Sequence, residues 1–140
     1  MPPRIDFIQQ NPVGKKYKVT LPDKVADRLI PDQSDDELQA HWNLNKEYKD
    51  VVISTVDLDE DYTAVRKFGK IYDGKGVVVA KKIRRLLDIN QGDDVYFIGM
   101  SDDEDPIPAV LFWTFERIEE MMMEGNKQTS YDYLRVPEFV

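Results

Sequence analysis

Cysteine is absent from this 140-residue chain, which excludes disulfides, thiolate metal sites and thiol nucleophiles. Histidine occurs once, as His41 in a strand-like stretch beside Trp42, so a Ser-His-Asp triad has a single candidate base. No nucleophile elbow of the G-x-S-x-G type accompanies it, and His41 reads as a packed structural residue. No stretch approaches the 18 or so consecutive apolar residues of a membrane span, and MPPRIDFIQQ pairs no basic start with an apolar run. A cytoplasmic chain, neither exported nor membrane-spanning, is expected. The acidic runs lack the spacing that metals require. In "DLDED" (57–61) the sixth loop position is Tyr62 where a calcium loop needs Gly, and the twelfth is Phe68 where it needs Glu. That run reads as a solvated linker, and "SDDED" (101–105) as an exposed loop. "GKG" (74–76) has no Walker context. No cofactor and no enzymatic activity are therefore expected.

What is present is enough apolar surface to fold about one domain, or two very small ones sharing a core: 41% hydrophobic residues, 11% aromatic. The net charge of −8 argues, as an average, against phosphate-rich partners. The distribution is uneven. Between Tyr62 and Leu87, Arg66, Lys67, Lys70, Lys75, Lys81, Lys82, Arg84 and Arg85 stand against the single acid Asp73. The excess acid lies in 31–37, 57–61, 101–105 and 116–124.

An internal repeat organises the chain. At an offset of 58, Val19, Thr20, Leu21, Pro22, Val25 and Leu29 overlie Val77, Val78, Val79, Ala80, Ile83 and Leu87. The same offset sets Val51, Val52 and Ile53 over Ala109, Val110 and Leu111. Each copy predicts a short strand, a short helix, an acidic turn and two further strands. In the second copy these are a strand at 77–79, a helix at 81–87, and strands at 95–100 and 109–115. Ile83, Leu86 and Leu87 share one helical face, so Lys81, Lys82, Arg84 and Arg85 point largely away from the core. In the first copy Pro22 suits the first turn of a helix over 23–29, with strands within 37–44 and 49–56. "ERIEEMMMEG" (116–125) predicts an amphipathic helix carrying Ile118, Met121 and Met122 on one side, and 131–140 an apolar tail. Trp42, Phe112, Trp113 and Phe115 are expected in the core, with Met121 to Met123 as core filling.

The segment "AVRKFGKIYDGKGVVVAKKIRRLLDINQGDDVYFI" (64–98) resembles the SpoVT/AbrB-like swapped-hairpin family, best over "VRK", "RRLLDI" and "QGDDVYF". The first copy's "VTLPDKVADRL" is similar to the same family's strand-proline-helix core. The resemblance implies a mainly β fold with short helices. It implies a swapped-hairpin barrel built by two tandem repeats as an intrachain pseudo-dimer, with a helical or extended C-terminal appendage. The units are 15–56 (degenerate, scaffold), an acidic linker 57–63, 64–115 (basic) and the appendage 116–140.

The family's function implies a DNA-binding transcriptional regulator whose partner is double-stranded DNA, with homodimer formation left open. Arg66, Lys67, Lys70, Lys75, Lys81, Lys82, Arg84 and Arg85 are the implied contacts, with Lys15, Lys16 and Lys18 in support. Ala26 and Asp27 replace the arginine pair in the first copy, so the second copy is expected to carry most phosphate contacts. The alternative is a protein-interaction module, antitoxin-like or an assembly factor, that grips a basic protein through acidic surfaces and 116–140.

Overall fold

The computed structural model describes residues 4–29, 40–45, 50–55, 58, 63–68, 76–102 and 105–124. These form β1 (Arg4–Pro12), a 3-10 turn (Lys15–Tyr17), β2 (Lys18–Thr20), α1 (Asp23–Leu29), β3 (Ala40–Asn45) and β4 (Asp50–Ser54). After them come β5 (Thr63–Phe68), β6 (Gly76–Val78), α2 (Lys81–Leu86), β7 (Asp94–Asp102), β8 (Asp105–Thr114) and α3 (Phe115–Glu124). The fold is mainly β with short helices, as expected. All the strand pairings are antiparallel: a six-stranded sheet in the order β1-β7-β8-β4-β3-β5, and a separate ribbon of β2 with β6. The large sheet is open. Its edges, β1 and β5, lie four strands apart, and β2 pairs with β6 instead of bridging them, so the described strands do not close into the expected barrel.

Two apolar clusters follow from strand alternation. On one side Trp42, Leu44, Val51, Ile53, Val95, Phe97, Val110 and Phe112 meet Val19 and Val77 of the ribbon and Val25, Leu29 and Ile83 of the two helices. On the other, Val52, Ile98, Met100, Leu111 and Trp113 pack with Leu58 and with Ile118 of α3. Central strand β4 is buried at all five positions, Asp50 to Ser54. Each fully buried large aliphatic or aromatic side chain contributes about 1.5–3 kcal/mol. The rings of Trp42, Phe112 and Phe97 are joined edge to face, at centroid separations of 4.9 Å and 5.5 Å.

The two helices start alike. The Pro22 carbonyl accepts from the N–H groups of Val25 and Ala26, and the Ala80 carbonyl from those of Ile83 and Arg84. Ala80 adopts φ −58°, which is the value a proline ring would impose. Alanine therefore fills the proline position without altering the entry geometry.

Several sequence expectations change. β1 precedes the first expected unit and runs beside β7 from Arg4 to Pro12. The run 105–108, which lies ahead of the strand expected at 109–115, is the start of β8. Pro106 and Pro108 are tolerated because the ladder with β4 reaches only Ala109, leaving those residues with β7 alone as a neighbour. Leu58, in the supposed solvated linker, is buried; its neighbours 56–57 and 59–62 lie outside the described residues. Val52 faces the second cluster whereas Val110 faces the first. A strand alternates with period two, so the offset of 58 joins residues of opposite faces at 51–53 and 109–111, and the repeat expected there is out of register.

Phe7 of β1 opposes Gly99 of β7 beside an irregularity in β1. The Phe7 ring occupies the space that a Cβ on Gly99 would take. Gly99→Ala is therefore expected to lower the unfolding free energy by about 1–3 kcal/mol, read by urea denaturation. Adding Phe7→Leu should recover part of the loss, and an unchanged midpoint in the single variant would contradict this packing.

Candidate nucleic-acid interface

The β2–β6 ribbon sets Val19 and Val77, which the offset of 58 aligns, against each other. Both are buried, while Lys18, Thr20 and Val78 face outward. Just before β2 the chain makes an unusual turn. Lys16 and Tyr17 both take positive φ, 57° and 58°, a conformation that costs a non-glycine residue about 1–2 kcal/mol. The Lys18 N–H closes it on the Lys15 carbonyl, and two longer-range backbone bonds hold it: the Gly14 N–H donates to the Lys18 carbonyl at 2.8 Å and the Val79 N–H to the Tyr17 carbonyl at 2.9 Å.

That second bond carries the turn to the start of α2. Ile83 anchors α2 in the core, leaving Lys81, Lys82 and Arg85 exposed and Arg84 half-buried. The Arg84 guanidinium lies 3.9 Å from the centroid of the Tyr17 ring, a cation–π contact between residues 67 positions apart. Lys15, Lys16 and Lys18 thus flank the turn that α2 meets, and all three are exposed. Among the described residues, no carboxylate forms an ion pair with any of these seven cations.

Helix α1 is built differently. On α1 the exposed side chains are Asp23, Lys24 and Asp27, and Ala26 is buried where α2 has Arg84. Arg28 turns inward, donating to Asp6 at 2.8 Å and to the Met100 carbonyl at 2.7 Å, with its guanidinium 5.3 Å over Phe7. It ties α1 to β1 and β7.

The other expected contacts divide. Arg66 and Lys67 stand on β5, an edge of the large sheet, opposite Trp42 and His41; they are on a different sheet from the ribbon. Lys70 and Lys75 lie outside the described residues.

α2 ends in a six-to-one turn in which Asp88 takes φ 53° and the Ile89 N–H donates to the Arg84 carbonyl at 2.8 Å. The turn that follows needs glycine: Gly92 has φ 93°, and its N–H donates to the Val13 carbonyl at 2.7 Å. Beyond it, Asp88, Asp93, Asp94 and Glu116 line an open groove of about 410 Å³ with Phe115. Phe115 is 53% exposed and not in the core as expected. It sits at the junction of β8 and α3 with its ring tilted against Tyr96 at 6.3 Å. Trp42, Phe112 and Trp113 are buried as expected, as is Ile118, and the side chains of Met121 to Met123 lie outside the described residues.

His41 is buried opposite Ser54, next to Asn43, whose amide donates to the Ser54 hydroxyl at 2.9 Å. Asp50 pairs with Asn45, four residues further along β3, and therefore stands about 13 Å away along the strand. These three residues do not assemble a triad. No group of three or more metal-ligating side chains occurs among the described residues, and no helix among them is long and apolar enough to cross a membrane. No protein-family model matches the chain, and no curated protein matches it.

Asp88 carries both left-handed strain and a negative charge at a helix C-terminus. Asp88→Gly relieves both and is expected to raise the unfolding free energy by up to about 1 kcal/mol, measured by chemical denaturation. A loss of stability would mean that the Asp88 side chain contributes more than its backbone costs.

Proposed function

We propose that this chain is a DNA-binding regulator of the AbrB-like type, without catalytic activity. It is built from two tandem units that exchange hairpins within one chain. Exchanging β1 with β5, β3 with β7 and β4 with β8 leaves the sheet order unchanged, read from the other end. The ribbon is its own counterpart. β1, which precedes the first unit as bounded at 15–56, pairs with β7 of the second, and β5 of the second pairs with β3 of the first, an exchange in keeping with a swapped-hairpin pair. This symmetry supports the tandem reading, as do the matching helix starts at Pro22 and Ala80.

The observation that carries the DNA reading is the meeting of two basic segments, 15–18 and 81–85, on one surface of an otherwise acidic chain. Lys15, Lys16, Lys18, Lys81 and Lys82 supply mobile point charges for phosphate oxygens, and Arg84 and Arg85 supply planar donor forks. The acidic faces of α1 and of the groove around Asp93 repel a phosphate backbone and steer the duplex toward the ribbon and α2. Contact is one-sided, with the first unit as scaffold. Arg66, Lys67, Lys70 and Lys75 stand as further phosphate contacts of the second unit.

A mixed-sequence duplex titrated by fluorescence anisotropy is expected to bind with an affinity that falls steeply with salt, by a slope of about −0.9 per phosphate neutralised. The double variant Arg84→Glu, Arg85→Glu, checked for folding by circular dichroism, should lose that binding. Lys82→Ala should reduce the slope by about 0.9. Failure of the native chain to bind at low salt would remove this function. The groove of Asp88, Asp93, Asp94 and Glu116 beside exposed Phe115 favours a second reading, in which a basic segment of a partner protein docks there. Binding of a lysine-rich peptide that is lost in Asp93→Asn, Asp94→Asn would then be the supported outcome.

A further inference from the structure

The seven clustered cations differ in one physical respect. Lys15, Lys16, Lys18, Lys81, Lys82 and Arg85 are exposed. Arg84 is half-buried, with its guanidinium fixed 3.9 Å from the Tyr17 ring centroid. The ring covers one side of the guanidinium and leaves N–H groups that point away from it available. Among the described residues no acceptor takes them. A donor fork held in one plane suits the O6 and N7 acceptors of guanine, whereas mobile charges suit phosphates of any sequence.

The backbone beneath the ring is also specialised. Tyr17 holds a positive φ of 58° directly after Lys16 at 57°, and its carbonyl is tied to the Val79 N–H at 2.9 Å. Strain of this kind persists only where surrounding bonds enforce it. Here they aim a ring from the first unit at an arginine of the second.

We propose that Tyr17 is a positioning residue that holds Arg84 as the sequence-reading side chain of the interface, the other cations supplying affinity without sequence preference. The inference rests on the DNA reading above and adds a division of labour to it. It expects discrimination between DNA sequences to depend on a residue that touches no base.

The test uses the full chain. Selection from a random duplex library defines the preferred sequence for the native protein, and anisotropy then measures the affinity ratio between that sequence and a scrambled duplex, together with the salt slope for each. Tyr17→Asn removes the ring while keeping a residue that tolerates positive φ; Tyr17→Phe keeps the ring. Tyr17→Asn and Arg84→Lys are each expected to lower the affinity ratio about tenfold or more with the salt slope of the scrambled duplex unchanged. Tyr17→Phe should retain the native ratio. Arg85→Gln should weaken both duplexes equally and reduce the slope by about 0.9.

Thermal melting checks that each variant folds, and Tyr17→Phe with Arg84→Lys keeps the test intact if Tyr17→Asn does not. Native-like discrimination in Tyr17→Asn or in Arg84→Lys would overturn the proposal while leaving DNA binding in place. A native protein that binds DNA but enriches no sequence would overturn it too. A native protein that binds no DNA would overturn both readings.

Discussion

The edge-to-face contacts among Trp42, Phe112 and Phe97 bury rings from β3, β8 and β7 in one cluster, and neither half of the chain supplies that cluster alone. The ribbon of β2 and β6 imposes the same dependence, since Val19 and Val77 oppose each other across it. Each half has three strands of the large sheet and a short ribbon strand to hide its apolar residues. Pairing β1 with β7 and β5 with β3 gives each half's first strand a place beside the other half's hairpin. Burial in the shared core therefore fixes the relative position of residues 15–18 and 81–85. The basic surface exists because the core brings the ribbon's two strands together.

Surface chemistry diverges where the buried positions agree. Val25 and Ile83 are both buried at matching positions of α1 and α2. One helix turn outward, α1 shows Asp23 and Asp27, and α2 shows Lys81 and Arg85. Ala26 packs into the core, whereas the longer Arg84 reaches the Tyr17 ring. Arg28, close to this site in sequence, is committed to Asp6 and the Met100 carbonyl. Hydrogen bonds to a charged group of this type contribute about 1.5–3 kcal/mol, so Arg28 serves the scaffold.

Much of this was legible in the sequence, and the exceptions have physical causes. Helices α1 and α2 announce themselves by apolar spacing at Val25 and Leu29 and at Ile83 and Leu86, and β4 and β8 by β-branched and aromatic runs. β1 does not. Its half-buried positions are Ile5, Phe7, Gln9 and Asn11, while Ile8 is exposed, so polarity fails to alternate and only the ladder with β7 defines it. The prolines of β8 hide a strand that has a single neighbour at that end. The cationic clusters at 15–18 and 81–85 were visible as composition. Their junction was not, because it depends on a left-handed tyrosine and on a contact across 67 residues, neither of which has a local signature.

The most direct measurement of the central claim is an amide chemical-shift map of the 15N-labelled chain titrated with a mixed-sequence DNA duplex at low salt. The shifted amides are expected to cluster at Lys15 to Thr20 and at Gly76 to Arg85, with Asp23 to Arg28 of α1 unaffected. Shifts centred on Asp88 to Asp94 and Thr114 to Arg117, or spread evenly over both helices, would contradict a one-sided interface on the ribbon and α2.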